Sequence, residues 1–281
     1  MIHCGKCTLI YWVLYQQVLV VHHITIQEGN SMKVGLVGYG KAGQAVARVL
    51  QDDPGFDLLW VARKSVSTAA QTVPETAIPL VGLAASDWAA WLDTHPVDAL
   101  VDFSQSESLH AYGEALRQRQ VMLVSAISAY SPADLDYARD LGRDTRVMCS
   151  PNITLGINFL IMAATLLRRI APFADVEILE QHFREKSEVS GTARKIAQSL
   201  AVEDDRITSL RLGGIIGHHE VIFGFPHQTV RLIHNSIERR AFGTGAVFAL
   251  TQLSSCQNGF YTFDDLMMRL VRQELREVAP A

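Results

Sequence analysis

Between Lys33 and Cys149, apolar positions fall into short, nearly continuous runs that alternate with segments of helical spacing. Lys33-Val-Gly-Leu-Val reads as a strand, followed by a glycine turn and a helical run to Leu50. Further strands are expected over Asp57–Ala62, Val97–Phe103, Val121–Ser125 and Arg146–Cys149. Helical segments fall between them, around 86–92, over 106–119 and over 131–142. The last of these opens with Ser131-Pro132, an N-cap followed by a first-turn proline. Continuous apolar strands are those of a parallel sheet buried on both faces. Strands alternating with helices predict a doubly wound α/β domain.

After Asn152 the pattern changes. Leu155–Ile170 is apolar almost all round and predicts a buried helix. A strand-like run at Asp175–Leu179 and a helix from Ala193 to Leu200 follow. Three more strand-like runs then appear, Ile207–Leu212, His219–Phe223 and Thr229–His234, separated by Gly213-Gly214 and by Gly224-Phe225-Pro226. This spacing predicts an antiparallel or mixed sheet in a second, α+β domain. Two helices, roughly 238–253 and 262–275, close the chain, divided by Ser254–Gly259. The organisation expected is an extension over 1–31, an α/β domain over 32–152, an α+β domain over 153–239 and C-terminal helices over 240–281.

Two stretches carry candidate chemistry. In the first, Gly38, Gly40 and Gly43 spell G-x-G-x-x-G directly after a strand and before a helix. Gly38 permits the tight turn, Gly40 lets the backbone approach a pyrophosphate, and Gly43 lets the helix pack close to the strand. In that context dinucleotide binding is preferred to a structural glycine turn. The second strand should end beside the adenosine ribose, where an acidic residue would take a 2′-hydroxyl. Arg63-Lys64-Ser65 stands there instead. Two cations and a hydroxyl suit a 2′-phosphate, so NADPH is favoured and NADH remains possible. Asp102-Phe103-Ser104 ends the third strand, on the side where open α/β sheets bind ligands.

The second stretch runs from Glu180 to Ala193. His182 and Lys186 are ionisable side chains four residues apart. Ser190-Gly191-Thr192 opens the next helix, offering hydroxyls and free backbone N–H groups at the positive end of its dipole. A proton donor beside an anion cradle suits an acidic small molecule. The alternative is an ordinary N-cap with two solvated charges.

Composition adds bounds. The 281 residues are 48% hydrophobic with a formal charge of −4, which suits one or two globular domains and gives no reason to expect nucleic acid. Four scattered cysteines make no disulfide framework, so a reducing cytoplasm is expected. Thr8–Val21 is apolar but interrupted by Gln16-Gln17 and too short to span a bilayer, so no membrane association is expected. Residues 1–31 read as an upstream extension, and Cys4-Gly-Lys-Cys7 lacks the second pair a zinc site requires. His218 and His219 are adjacent on a strand and should point to opposite faces, so no metal site is expected. His234, Arg239 and Arg240 could add positive potential to an anionic site or belong to a rim or interface.

Taken in order, these motifs resemble the 4-hydroxy-tetrahydrodipicolinate reductase (dihydrodipicolinate reductase) family from Met32 nearly to the C-terminus. The family signature E-x-H-H-x-x-K followed by P-S-G-T-A is similar to Glu180-Gln-His182-Phe183-Arg-Glu-Lys186 and Ser190-Gly-Thr-Ala193. G-x-G-x-x-G, V-D-F-S, Pro151-Asn152-Ile-Thr-Leu-Gly-Ile-Asn158 and Gly214-Ile-Ile-Gly-His-His follow the family order. The resemblance implies an N-terminal Rossmann domain and a substrate domain whose mixed sheet builds a homotetramer. It also implies C-terminal helices that return to the nucleotide domain. The implied reaction is reduction, by NADPH or NADH, of a cyclic imine bearing two carboxylates, in the diaminopimelate route to lysine. His182 and Lys186 would handle the proton, with Phe183, Ser190, Gly191 and Thr192 lining the substrate. The cofactor would meet Gly38, Tyr39, Gly40, Lys41, Ala42, Gly43, Arg63, Lys64, Phe103, Ser125, Ala126, Ile127, Ser150, Pro151, Asn152 and Ile153.

Three departures bear on substrate. Phe183 stands where the family has a second histidine. The stretch between Lys186 and Ser190 is one residue shorter and lacks the usual proline. Ser125-Ala126-Ile127-Ser128 stands for the family's G-T-T-G. A diverged reductase of another cyclic imino or keto acid, or a non-catalytic dinucleotide-binding sensor, are the competing readings. Retention of both His182 and Lys186 argues against the sensor.

Overall fold

A computed structural model of the chain describes residues 31–64, 71–83 and 87–278. The run Thr8–Val21, Cys4, Cys7 and Ser65 lie outside the described residues. Strand β1 (Met32–Val37) leads through the glycine turn to helix α1 (Lys41–Asp52) and on to β2 (Phe56–Arg63). Then come β3 (Gln71–Thr72), β4 (Pro79–Gly82), α2 (Trp88–Thr94), β5 (Ala99–Asp102), α3 (Ser106–Arg119), β6 (Met122–Ser125), α4 (Pro132–Leu141) and β7 (Arg146–Cys149). Helix α5 (Leu155–Ile170) leads into β8 (Asp175–His182), α6 (Gly191–Leu200), β9 (Ile207–Arg211), β10 (His218–Phe225) and β11 (Gln228–Asn235). The chain ends with α7 (Arg240–Ser254), β12 (Gly259–Tyr261) and α8 (Phe263–Val278).

Eight strands form the first sheet, in the order β12-β7-β6-β5-β1-β2-β4-β3. Every neighbouring pair is parallel except β3 with β4. The order reverses at β1, between β2 and β5, so the crevice outside the carboxyl ends of β1 and β5 is the topological switch point where such sheets take ligands. One face of this sheet packs on α1, α7 and α8 through Val46, Leu50, Ala249, Leu253 and Leu266. The other packs on α2, α3 and α4 through Trp88, Leu109, Leu116 and Leu141. Four strands form the second sheet, in the order β11-β10-β8-β9, with β8 and β9 parallel and the other pairs antiparallel. Its inner face carries Ile178, Val221 and Phe223 against Ile157, Ile161 and Ala164 of α5 and Ile196 of α6.

Helices α7 and α8 return to the first sheet. A Cβ on Gly243 would lie 2.5 Å from the Val49 side chain, and one on Gly245 would lie 1.8 Å from the Ile153 carbonyl oxygen. Backbone contact that close requires a residue without a side chain.

Several expected elements are corrected. Strand β8 continues through Glu180 and Gln181 to His182, because its polar residues satisfy one another on the inner face. Strands β3, β4 and β12 were not expected; each has four residues or fewer, too few to display a period of two. Helix α5 is not buried all round. Ile157, Leu160, Ile161 and Ala164 face the core, while Leu155, Phe159, Leu166 and Ile170 form an exposed stripe, Phe159 at 56%. An apolar circumference can show helix periodicity only where polar residues mark the outer face.

Candidate active site

The glycine turn holds Gly38 at φ +94°, and a Cβ there would lie 2.6 Å from the Phe103 carbonyl oxygen. A Cβ on Gly43 would lie 1.9 Å from the Gly38 carbonyl oxygen, so helix α1 sits directly on the turn. Gly40 caps α1 without any side-chain cap, and nothing lies within 4 Å of where its Cβ would be. The first helical bond of α1 runs from Gln44 N to Gly40 O at 2.9 Å, which leaves the N–H groups of Lys41, Ala42 and Gly43 without intrahelical partners. Open space over free N–H groups at the positive end of a helix fits a pyrophosphate.

Around that cradle, Gly38, Tyr39, Gly40, Arg63, Lys64, Phe103 and Ser104 line one cleft. Arg63 donates to the Gln71 side chain on β3, and Lys64 is exposed. A second, adjoining hollow is lined by Ala42, Phe103, Ala126, Ser128, Pro151, Asn152, Ile153 and Phe242. The two share Phe103 and Ser104, whose turn is fixed from below by Asp102. That carboxyl is buried and accepts bonds from the Ser104 amide at 2.8 Å, the Ser104 hydroxyl and the Tyr112 hydroxyl. Burial pushes its pKa up to about 6 against the opposing pull of those bonds.

Three residues expected at the cofactor have buried side chains. Ser125 is fully buried and its hydroxyl is 2.9 Å from that of Tyr130. Ile127 is buried and its amide donates to the same Tyr130 oxygen at 3.0 Å. Tyr130 thus pins the loop so that Ala126 and Ser128 alone face the hollow. Ser150 is buried and donates to the Asn152 carbonyl at 2.8 Å, shaping the turn rather than lining it. Asn158 supports the same carbonyl at 3.0 Å.

The second cluster lies at one end of the mixed sheet. Register places His234, His219, Glu180 and Ser209 side by side on β11, β10, β8 and β9. His182 and Arg211 form the next pair along. Glu180 is fully buried. It accepts from Ser209 Oγ at 2.7 Å, from the Ser190 amide at 3.3 Å, from Arg211 Nη1 and Nη2 at 3.0 and 2.8 Å, and from His182 Nδ1. Burial alone would raise its pKa, but these bonds, led by Arg211, outweigh it and bring the pKa down to about 2. An ionised carboxylate only accepts. His182 Nδ1 therefore donates, which leaves Nε2 as its free nitrogen; a Cβ on Gly217 would lie 3.3 Å from it.

Ser190, expected as a cradle hydroxyl, packs against the histidine row. It is buried, makes no cap bond, and its Oγ lies 2.9 Å from His219 Nε2. What stays open at the start of α6 is Gly191, with nothing within 4 Å of its Cβ position, and the half-buried Thr192. His219 is buried, with its ring edge-on to His182 at 5.3 Å between centroids. Burial and the facing His182 bring its pKa down to about 3. Phe183 is 42% exposed. The Lys186 ammonium has no ion pair among the described residues, and its amide closes a turn on the Phe183 carbonyl at 3.1 Å. His218 bonds Asn235 at 2.7 Å on the outer face, opposite to His219.

The two clusters are tied by α5. Its Gly156, four residues after Asn152, faces His234, whose Cδ2 would lie 2.9 Å from a Cβ there. The histidine row therefore reaches the helix start that follows directly on the cofactor-side hollow.

The arrangement has known counterparts. The N-terminal model of dihydrodipicolinate reductase matches residues 32–153, and the C-terminal model matches 152–267. The chain belongs to the dihydrodipicolinate reductase family. Among curated relatives, the 4-hydroxy-tetrahydrodipicolinate reductase of Caldanaerobacter subterraneus subsp. tengcongensis is 26% identical over 256 residues, covering 82% of this chain and 95% of that one. That of Thermosipho africanus is 27% identical over 238 residues, covering 84% and 98%. A dipicolinate-bound dihydrodipicolinate reductase from Paenisporosarcina sp. TG-14 shares the fold, with a TM-score of 0.72 and 22% identity over 83% of this chain and 98% of that one. The DAP dehydrogenase of C. glutamicum, in complex with DAP, matches more loosely, with a TM-score of 0.55, 13% identity and coverage of 90% and 100%.

Within this reductase, motif reading missed Glu180 as a partner of His182, and missed Ser209, Arg211 and His219 altogether as members of the cluster. It also missed Tyr130 and Phe242. The one signal in the sequence was alternation: Glu180 and His182 share a strand face, as do Ser209 and Arg211. Alternation names the face, but not the neighbouring strand.

Proposed function

We propose that this chain reduces 4-hydroxy-tetrahydrodipicolinate to tetrahydrodipicolinate, consuming NADPH and a proton and releasing NADP⁺ and water. The observation that carries the reading is the end of the mixed sheet. There an imidazole whose Nδ1 is committed to a buried carboxylate stands at the end of β8, and a helix N-terminus opens at Gly191-Thr192. A dihydronicotinamide supplies the hydride. The Gly38–Gly43 turn, with the free amides of Lys41, Ala42 and Gly43, holds its pyrophosphate, and Arg63 and Lys64 take the 2′-phosphate that separates NADPH from NADH. Phe103, Ala126, Ser128, Pro151, Asn152 and Ile153 wall the hollow for the ring.

The substrate's carboxylates are received by the first-turn amides and hydroxyl of Gly191 and Thr192, where the helix dipole favours negative charge. Lys186 and His182 handle the proton as negative charge builds on the ring: the ammonium donates, while His182, its Nδ1–H held by Glu180, takes up a proton at Nε2 before passing it on. Asp102 keeps Phe103 and Ser104 in place beneath the cofactor. The outer face of the mixed sheet, with Leu210 and Ile233 exposed and no helix over it among the described residues, supports assembly as a homotetramer. No helix of the described residues is long and apolar enough to cross a membrane.

One observation favours a second reading. Phe183 places a half-exposed phenyl ring where the family has a histidine, which suits a reductase diverged toward a less polar ring acid. Steady-state oxidation of NADPH with 4-hydroxy-tetrahydrodipicolinate decides between them. Turnover is expected. NADPH binding without turnover of that substrate would reject the assignment and leave the diverged reductase.

A further inference from the structure

Arg211 lies opposite His182 in the β8–β9 register. A guanidinium has five N–H groups in a rigid fork, and here each has an acceptor. Nε donates to the Lys186 carbonyl at 2.7 Å. Nη1 donates to Glu180 Oε2 at 3.0 Å and to the Leu210 carbonyl at 2.8 Å. Nη2 donates to Glu180 Oε1 and to the Glu188 carbonyl, both at 2.8 Å. The carboxylate at one end of this fork is the one that takes His182 Nδ1. The carbonyls at the other end belong to the loop that carries Lys186.

We propose that Arg211 is the positioning residue that sets His182 and Lys186 against each other. Through Glu180 it holds the imidazole with its proton on Nδ1 and Nε2 free. Through the Lys186 and Glu188 carbonyls it holds the loop from which the ammonium extends. This rests on the reading of His182 and Lys186 as the proton-handling pair. A salt bridge that served only stability would need the Glu180 contacts alone. The two loop carbonyls lie on either side of Ser187, and they are bonded by the same side chain. Lysine keeps the charge but has neither the fork nor the reach to bond a carboxylate and two carbonyls at once.

The test uses Arg211→Lys and Glu180→Gln in the full chain. Turnover with 4-hydroxy-tetrahydrodipicolinate, NADPH binding by fluorescence titration, melting temperature and the His182 tautomer by nitrogen-15 NMR are measured, with His182→Gln to assign the resonance. Arg211→Lys should lower kcat about 10²-fold, the scale of a misplaced catalytic group. NADPH affinity should stay unchanged, and the Nδ1–H tautomer should give way to a mixture. Glu180→Gln should do the same to the tautomer, and the double variant should be no slower than the slower single one, since both break one network. Turnover within threefold of the parent in folded Arg211→Lys, or an unchanged tautomer, overturns the proposal. If Arg211→Lys does not fold, Glu180→Gln decides: a retained Nδ1–H tautomer with parental kcat overturns it. If the parent itself turns over none of that substrate, the functional reading fails, while the tautomer in Arg211→Lys still decides the role of Arg211.

Discussion

Glu180 and His219 are neighbours on one sheet row and both are held away from their ordinary titration. The folded chain keeps His219 neutral down to about pH 3, whereas an ordinary histidine takes up a proton near 6.5. Between those values the unfolded chain binds the extra proton, so stability falls as pH is lowered from about 6.5 toward 3. Glu180 acts in the same direction lower down, from its ordinary 4.5 to about 2. Asp102 acts oppositely: with its pKa raised to about 6, the folded state binds its proton first and gains as pH falls toward 3.8. His219→Asn should therefore show a smaller drop in melting temperature than the parent between pH 7 and pH 5. Equal drops would remove His219 from the pH response. Phe183 gives a second prediction at this scale. A phenyl ring offers neither charge nor hydrogen bond. Phe183→His should raise kcat/KM for the dipicolinate-type substrate, by at most about 1.5–3 kcal/mol of a charged hydrogen bond, read from steady-state kinetics. A lower kcat/KM would mark the ring as adapted to a different acid.

Among the elements, the carboxyl end of β2 and the start of α7 line the clefts proposed for the cofactor. Arg63 ends β2 and Lys64 follows it, both on the cleft. Replacing them with Asp and Ala should weaken NADPH by about 1–3 kcal/mol for each charge-assisted hydrogen bond removed and leave NADH nearly unaffected. The ratio of kcat/KM for the two cofactors measures this, and an unchanged ratio places the 2′-phosphate elsewhere. Helix α7 approaches the β7–α5 connection at Gly245, where a Cβ would stand 1.8 Å from the Ile153 carbonyl oxygen. Gly245→Ala must push the helix away, at about 1–3 kcal/mol for overpacking. Since Ile153 and Phe242 line the same hollow, NADPH affinity should fall together with stability in urea. Parental values for both would mean that α7 shifts freely.

At the scale of the whole molecule, the mixed sheet has one face filled by α5 and α6 and, among the described residues, no helix over the other. On that other face Leu210 and Ile233 are exposed, while Glu220 is buried and bonds Arg231 at 2.5 Å. An antiparallel sheet can leave one face to water when that face is polar; this one mixes isoleucine and leucine with its charges, as association surfaces do. If this face joins copies of the chain in the proposed tetramer, Ile233→Asp should lower the sedimentation coefficient. An unchanged sedimentation coefficient in that variant would remove this face from any assembly.

Strand and helix order, the glycine turn and the stretch around His182 were legible because each is local. A buried parallel strand is a short apolar run, and a turn with positive φ needs glycine at Gly38. The nearness of His182 and Lys186 in sequence is likewise local; their pairing as a site is the proposal made above. Tertiary structure alone decided which side chains those residues answer to. Arg211 meets Glu180 across 31 residues of chain, and Ser190 meets His219 across 29, because strand order and register bring them together. Ser125, Ile127 and Ser150 are buried through partners within five residues of them, Tyr130 and Asn152, a local arrangement that the apolar pattern does not display. Alternation tells which face of a strand a residue occupies. Only the sheet order tells what stands beside it, and a buried polar group takes its role from its partner.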